Sequence, residues 1–196
     1  LSLGVEVRYN TKVGVTVTWE EVEGSHDCVF VAIGAHHFRD LGIDYATREG
    51  VFSAVQFLHR SSSGRPIDMA GKDVVIVGGG NVAMDAVRTA KRLGAERAII
   101  AYRRTEAEMP ARRAELHHAK AEGVEVMPLM APLEFLAGED GSVCATRVQR
   151  MELGEPDDSG RRRPIPIEGA IEEIPCDVAI SAIGTNANPF AKLIGG

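Results

Sequence analysis

The clearest stretch of the hydrophobic pattern runs Asp73-Val-Val-Ile-Val-Gly-Gly-Gly-Asn-Val-Ala83. Four apolar residues without a polar break, 74–77, predict a short strand buried on both faces, as in a parallel sheet. Residues 81–93 then carry apolar positions at helical spacing, and Gly94 is placed to stop that helix. The pattern repeats. Residues 98–101 predict a second strand, and Pro110 opens a second helix that ends near Glu122-Gly123. Residues 124–129 predict a third strand. Strands alternating with helices argue for a parallel sheet with right-handed crossovers. The character then changes. Residues 133–136, a turn at 138–141 and residues 143–153 predict an antiparallel hairpin. Residues 155–166 read as a polar, proline-containing loop, and 171–174 as another short strand.

Before the glycine cluster the pattern is weaker. Gly4-Val-Glu-Val-Arg-Tyr-Asn10 alternates like a strand, and Thr18 is placed to cap a short helix at 18–22. Asp27-Cys-Val-Phe-Val-Ala-Ile-Gly34 predicts a buried strand. Residues 51–60 predict a helix with Val51, Val55, Phe57 and Leu58 as its apolar positions. Ser61-Ser-Ser-Gly-Arg-Pro66 breaks the pattern and marks a domain boundary. Near the end, Asp177-Val-Ala-Ile-Ser-Ala-Ile-Gly184 echoes residues 27–34: Asp, mostly apolar residues, then Ile-Gly. Two such copies flanking a strand–helix unit point to an insertion, in which one domain gives way to another and resumes after it. The plainer reading is that any buried strand followed by a turn has this form.

Composition narrows the class. Of 196 residues, 44% are hydrophobic and 26% charged, which is globular usage. A net charge of −6 argues against general nucleic-acid binding. Arginines still cluster at 103, 104, 112 and 113 and at 161–163, the latter group reading as an exposed turn. Cys28, Cys144 and Cys176 form no C-x-x-C pair, so neither a redox disulfide nor an iron–sulfur site is legible. His36-His37 and His117-His118 are adjacent pairs, which point apart on a helix, and no ligand set completes them. No apolar stretch is long enough to span a membrane, and a reducing cytoplasm fits the scattered thiols.

Gly78, Gly79 and Gly80, with Ala83, stand in G-x-G-x-x-A spacing between a predicted strand and a predicted helix. Such a turn lets the backbone approach a pyrophosphate at the helix N-terminus, where free N–H groups favour an anion. Arg103 and Arg104 follow the second strand, where an NAD-preferring domain places an acid. Two guanidinium groups there suit a 2′-phosphate and predict NADP(H). The bland alternatives are a glycine turn that serves packing alone and a solvated arginine pair.

These residues resemble the NADPH-binding insert of the two-dinucleotide-binding-domain flavoproteins, most closely the glutamate synthase small (beta) subunit. The resemblance rests on Gly78-Gly-Gly-Asn-Val-Ala-Met-Asp85 and Tyr102-Arg-Arg-Thr-Glu-Ala-Glu-Met-Pro-Ala111, with Leu153-Gly-Glu-Pro-Asp157 and Gly160-Arg-Arg-Arg-Pro164. Residues 29–35 and 50–59 take part too. Gly80-Asn-Val-Ala83 with Arg103 and Arg104 is also similar to adrenodoxin reductase, which implies NADP-site roles for Asn81, Val82, Arg103, Arg104 and Glu115. Glu115 reads equally well as an exposed helix glutamate. The NADPH domain of dihydropyrimidine dehydrogenase is a further relative by fold and glycine motif.

The resemblance implies an α/β fold: a Rossmann-like parallel sheet with an antiparallel β-meander, plus a partial FAD-domain flank. It implies a remnant of the FAD-binding domain and linker at 1–62, an NADPH-binding domain at 63–188 and a return linker at 189–196. No N-terminal FAD fingerprint is present, nor the cysteines that hold iron–sulfur clusters in the family, so the chain reads as an excised segment. FAD and the iron–sulfur clusters then belong to the parent protein. The implied reaction passes hydride from NADPH to FAD, and electrons go on to a large glutamate synthase-type subunit or another acceptor. Gly78 to Ala83 would cradle the pyrophosphate, and Ala182, Ile183 and Gly184 would lie at the C-terminal edge of the sheet near the nicotinamide. The chain alone would bind NADPH without ordinary turnover, and no residue of it is assigned as a catalytic acid, base or nucleophile. Three rivals stay open: another ferredoxin- or sulfide-type flavoprotein, a non-catalytic nucleotide-binding domain, and an NAD-preferring module.

Overall fold

A computed structural model describes residues 3–34, 37–38 and 48–186. The described residues fall into two units: 3–34, and 37–38 with 48–186.

The first unit contains one helix, α1 (Trp19–Gly24). Thr18 caps it as expected: its hydroxyl accepts from the Glu21 N–H, and the Glu21 carboxylate accepts from the Thr18 N–H at 2.8 Å. That reciprocal bond, chiefly to the Thr18 backbone, lowers the pKa of Glu21. The strands expected at residues 4–10 and 27–34 are not formed, and no residue of 3–34 is buried. An apolar run without a ladder partner has nothing to fix it as a strand.

The second unit contains β1 (His37–Phe38), β2 (Val51–Ser53), α2 (Ala54–Ser62), β3 (Asp73–Val77), α3 (Asn81–Arg92), β4 (Arg97–Tyr102) and a 3₁₀ turn (Glu106–Glu108). Then come α4 (Arg113–Ala121), β5 (Glu125–Pro128), β6 (Met130–Ala137), β7 (Val143–Pro156), β8 (Arg162–Pro175), β9 (Val178–Ser181) and β10 (Thr185–Asn186). Five strands form a parallel sheet in the order β2-β9-β3-β4-β5. β6, β7 and β8 form an antiparallel meander, and β1 pairs with β10. The expected α/β class, a parallel sheet with an antiparallel meander, is what forms.

Side-chain alternation divides the sheet into two faces. Val74, Ile76, Ala98, Ile100 and Ile180 pack against Phe57 of α2 and Met84 and Val87 of α3. Val75, Val77, Ile99 and Ala179 pack against Phe135, Val143, Val148 and Ile174 of the meander. Both faces are covered, which explains the unbroken apolar run of β3.

Three boundaries depart from the sequence reading. Val51 lies in β2, not in a helix, because it pairs in register with Ala179 of β9; α2 starts after Ser53, which caps it. β2 and α2 thus share a unit with β3. Pro110 does not open α4: the 3₁₀ turn comes between, and α4 starts at Arg113. The expected loop at 155–166 shrinks to the tip of one long hairpin, since β7 runs to Pro156 and β8 starts at Arg162. β8 is an edge strand, where Pro164 and Pro166 lose no necessary ladder bond. Residues 187–196, with the expected return linker at 189–196, lie outside the described residues.

Candidate functional site at the sheet's C-terminal edge

β3, α3, β4, α4 and β5 progress to one side of the sheet, while β9 and β2 lie on the other side of β3. The order reverses between β3 and β9. Ligands of open α/β sheets bind outside the carboxyl ends of the strands at such a switch point. The glycine turn lies there. The Gly78 N–H donates to the Ala101 carbonyl at 3.1 Å, and the Ala182 N–H to the Val77 carbonyl at 2.8 Å. Gly78 has φ +144°, and a Cβ on it would stand 2.4 Å from the Ala182 carbonyl oxygen. Only glycine fits both the conformation and the approach. Ala182 is therefore brought against the glycine turn. Ile183 is half-buried beside the meander core, and Gly184 is exposed.

Gly79 is required for a different reason. Its Cβ would stand 2.6 Å from the Tyr102 ring. That ring is fixed in turn, with its hydroxyl donating to the Glu108 carbonyl at 3.0 Å. The Ala111 N–H donates to the Gly79 carbonyl at 3.1 Å, and the Arg112 N–H to Asn81 Oδ1 at 3.0 Å. So Asn81 ties the start of α4 to the start of α3. Tyr102 and Arg112 are site-shaping residues that motif spacing does not pick out; the signal for Tyr102 is a bulky ring opposite a residue lacking a side chain.

Gly80 differs again. It is the N-cap of α3, no side chain caps that end, and the first turn holds no acid. A Cβ on Gly80 would meet nothing closer than Pro110 at 4.0 Å. The Ala83 and Met84 N–H groups donate to the Gly80 carbonyl. Among the described residues no acceptor takes the N–H groups of Asn81 and Val82, which lie at the positive end of the helix dipole. Val82 is exposed and Ala83 buried. An uncapped helix N-terminus of this kind favours a negative charge.

The two arginines after β4 behave differently. Arg103 is exposed and makes no hydrogen bond or ion pair among the described residues. Arg104 is 4% exposed; its Nε donates to the Arg162 carbonyl at 2.7 Å and its Nη2 to Asp157 Oδ2 at 2.6 Å. Asp157 also accepts from Ser159 and from the Arg161 N–H, and these bonds, Ser159 first, lower its pKa.

Glu115 lies in the first turn of α4 and pairs with Arg88 of α3 at 2.6 Å. Arg88 and Arg92 also hold Glu122, at 2.8 and 2.7 Å, and lower its pKa to about 2. A cleft of about 570 Å³ opens between α2 and α3, lined by residues such as His59, Asp85 and Arg92. None of its lining residues belongs to the glycine turn or the arginine end of β4, so the chemistry argues for the sheet edge instead. Among the described residues no group of His, Cys, Asp or Glu is placed to hold a metal ion, and no helix is long and apolar enough to cross a membrane.

Residues 2–194 match the family model of the pyridine nucleotide-disulphide oxidoreductases. The chain belongs to that family. It is 43% identical over 189 residues to the NADP(+)-dependent formate dehydrogenase subunit beta of Moorella thermoacetica, covering 95% of this chain and 27% of that protein. It is 40% identical over 200 residues to a putative glutamate synthase [NADPH] small chain of Cereibacter sphaeroides, covering 98% of this chain and 48% of that one. The chain thus spans between about a quarter and a half of these relatives. In fold it is similar to Mycobacterium tuberculosis FprA in complex with NADPH, with a TM-score of 0.71 at 20% identity, over 88% of this chain and 53% of that one.

Proposed function

We propose that this chain is the NADP(H)-binding part of a flavoprotein oxidoreductase of the glutamate synthase small-subunit type. The observation that carries the reading is the uncapped N-terminus of α3, reached through Gly78, Gly79 and Gly80 at the switch point of the sheet. The N–H groups of Asn81 and Val82 hold the pyrophosphate, with Ala83 keeping the helix close to β3. The adenosine 2′-phosphate lies at the arginine end of β4, where Arg103 is free. Ala182, Ile183 and Gly184 border the nicotinamide half. Glu115 acts through Arg88, holding α4 beside α3.

Bound together, NADPH and FAD supply the hydride transfer; this chain's residues bind and orient the nucleotide. FAD is assigned to another domain of the parent chain, and iron–sulfur clusters and a large glutamate synthase-type subunit to the electron path beyond it. A second reading is supported by the relative named as a formate dehydrogenase subunit: the same module can serve a different final acceptor.

The test is a titration of the full-length protein with NADPH and NADH, on wild type and Gly80→Ala. Preference for NADPH in the wild type is expected. Gly80→Ala fills open space before the helix, so it should weaken both nucleotides about tenfold while leaving the melting temperature within a few degrees. Binding of neither nucleotide by the wild type would falsify the reading.

A further inference from the structure

The three glycines of the turn are glycine for different reasons, and only one of those reasons is another side chain. Gly78 holds φ +144°, and Gly80 borders open space. Gly79 is not among the glycines of positive φ, so its backbone conformation does not call for glycine. What excludes a side chain there is a single ring. A Cβ on Gly79 would stand 2.6, 2.7 and 3.0 Å from Cδ2, Cε2 and Cγ of Tyr102, and these are its three nearest atoms.

The ring is held so that it cannot yield. Tyr102 closes β4, in register with Pro128 of β5, and is 7% exposed in the core on the α2–α3 side of the sheet. Its hydroxyl donates to the Glu108 carbonyl at 3.0 Å. Glu108 is fixed in turn, because its carboxylate accepts from the Thr105 N–H at 3.2 Å across the 3₁₀ turn. Three residues on, the Ala111 N–H returns to the Gly79 carbonyl at 3.1 Å. Gly79, Tyr102, Glu108 and Ala111 thus close a circuit of one packing contact and two hydrogen bonds, and the glycine turn is one side of it.

We propose that Tyr102 is a positioning residue for the nucleotide: its ring sets the path of the glycine turn up to the start of α3, and residue 79 is glycine because residue 102 is tyrosine. The inference rests on the NADP(H) reading above. The effect runs through the backbone of residue 79 rather than through a contact with the nucleotide. A turn already held in its bound shape leaves less ordering to occur on binding.

The experiment is a double-mutant cycle on the full-length protein, read as the NADPH dissociation constant by calorimetry, with a thermal melt of every variant. Loss of folded protein lowers the stoichiometry, whereas misplacement of the turn raises the dissociation constant, so the second readout is one that a merely structural role does not move. Gly79→Ala should weaken NADPH about tenfold, and Tyr102→Met, whose flexible side chain yields to a Cβ, about fivefold. Together they should bind no more than about twofold more weakly than Tyr102→Met alone. Tyr102→Phe keeps the ring and should stay within about threefold of wild type. If Gly79→Ala does not fold by itself, the double variant against Tyr102→Met carries the comparison; if Tyr102→Met does not fold, Tyr102→Leu replaces it with the same thresholds. A further tenfold loss on adding Gly79→Ala to Tyr102→Met, wild-type affinity in Tyr102→Met, or a tenfold loss in Tyr102→Phe overturns the proposal and leaves the NADP(H) reading standing. A wild type that does not bind NADPH overturns that reading, and the proposal with it.

Discussion

Residues 27–34 and 177–184 share a written pattern and little else. In the second copy Val178, Ala179, Ile180 and Ser181 form β9, paired with β2 on one side and β3 on the other. Ile180 is fully buried. In the first copy Phe30 is 90% exposed, and among the described residues no strand pairs with 27–34. The leading aspartates differ too. Asp177 Oδ2 accepts from the Asp73 N–H at 2.8 Å and so fixes the start of β3, whereas Asp27 makes no hydrogen bond among the described residues. Apolar content is permission to be a strand. A ladder on each edge and a core on each face turn permission into structure.

The largest contrast should come from the apolar positions. In the 196-residue chain, Ile180→Ala is expected to cost about 2–5 kcal/mol in denaturant unfolding, and Phe30→Ala less than about 0.5 kcal/mol. Equal costs would break the comparison. The same pair in the full-length protein sharpens it: if additional chain supplies residues 27–34 with strand neighbours, the Phe30 cost rises towards that of Ile180. A smaller contrast is expected at the aspartates. Asp177→Ala loses a bond to an exposed backbone N–H and should cost about 1 kcal/mol, while Asp27→Ala should be silent.

The smallest energetic effect, but a clear chemical one, concerns the thiols. Cys28 stands in the first copy and is exposed; Cys176 stands just before the second and is buried. Burial pushes the Cys176 thiol up to about 11, so it remains protonated through pH 9, where an ordinary thiol is largely ionised. Alkylation at pH 8.5, followed residue by residue by mass spectrometry, should label Cys28 and Cys144 quickly and Cys176 only after denaturant is added. Rapid labelling of Cys176 in the native chain would show that β9 opens readily.

Where each element was legible in the sequence follows from the same contrast. β3 and α3 were plain, because an unbroken apolar run, three glycines and a helical period fix both ends of the unit. The β7–β8 hairpin was half hidden. Its prolines and its Asp-Asp-Ser-Gly tip read as loop, and only the position of β8 at a sheet edge makes them compatible with a strand. β2 was hidden in an amphipathic run, since its partner is far along the chain. At the site, the glycine motif and the arginines were legible as residue types. Their inequality was not, because neighbouring positions say nothing of which guanidinium meets Asp157. Tyr102 and the Asn81 bond to Arg112 were invisible for the same reason: both are contacts across a turn, not spacings within it.

The order of the parallel sheet also bears on how the chain assembles as it is synthesised. Among the described residues β2 pairs with β9 alone, and β9 also fills the place beside β3. On the ribosome β3, α3, β4, α4 and β5 can close as a unit once they emerge, since each neighbours the next. β2 is made before all of them, yet it waits with its edges unpaired until the meander is complete and β9 arrives. Of the five parallel strands, the last one out thus completes the sheet for the first, and a translation pause or truncation between them leaves an apolar edge for chaperones to guard.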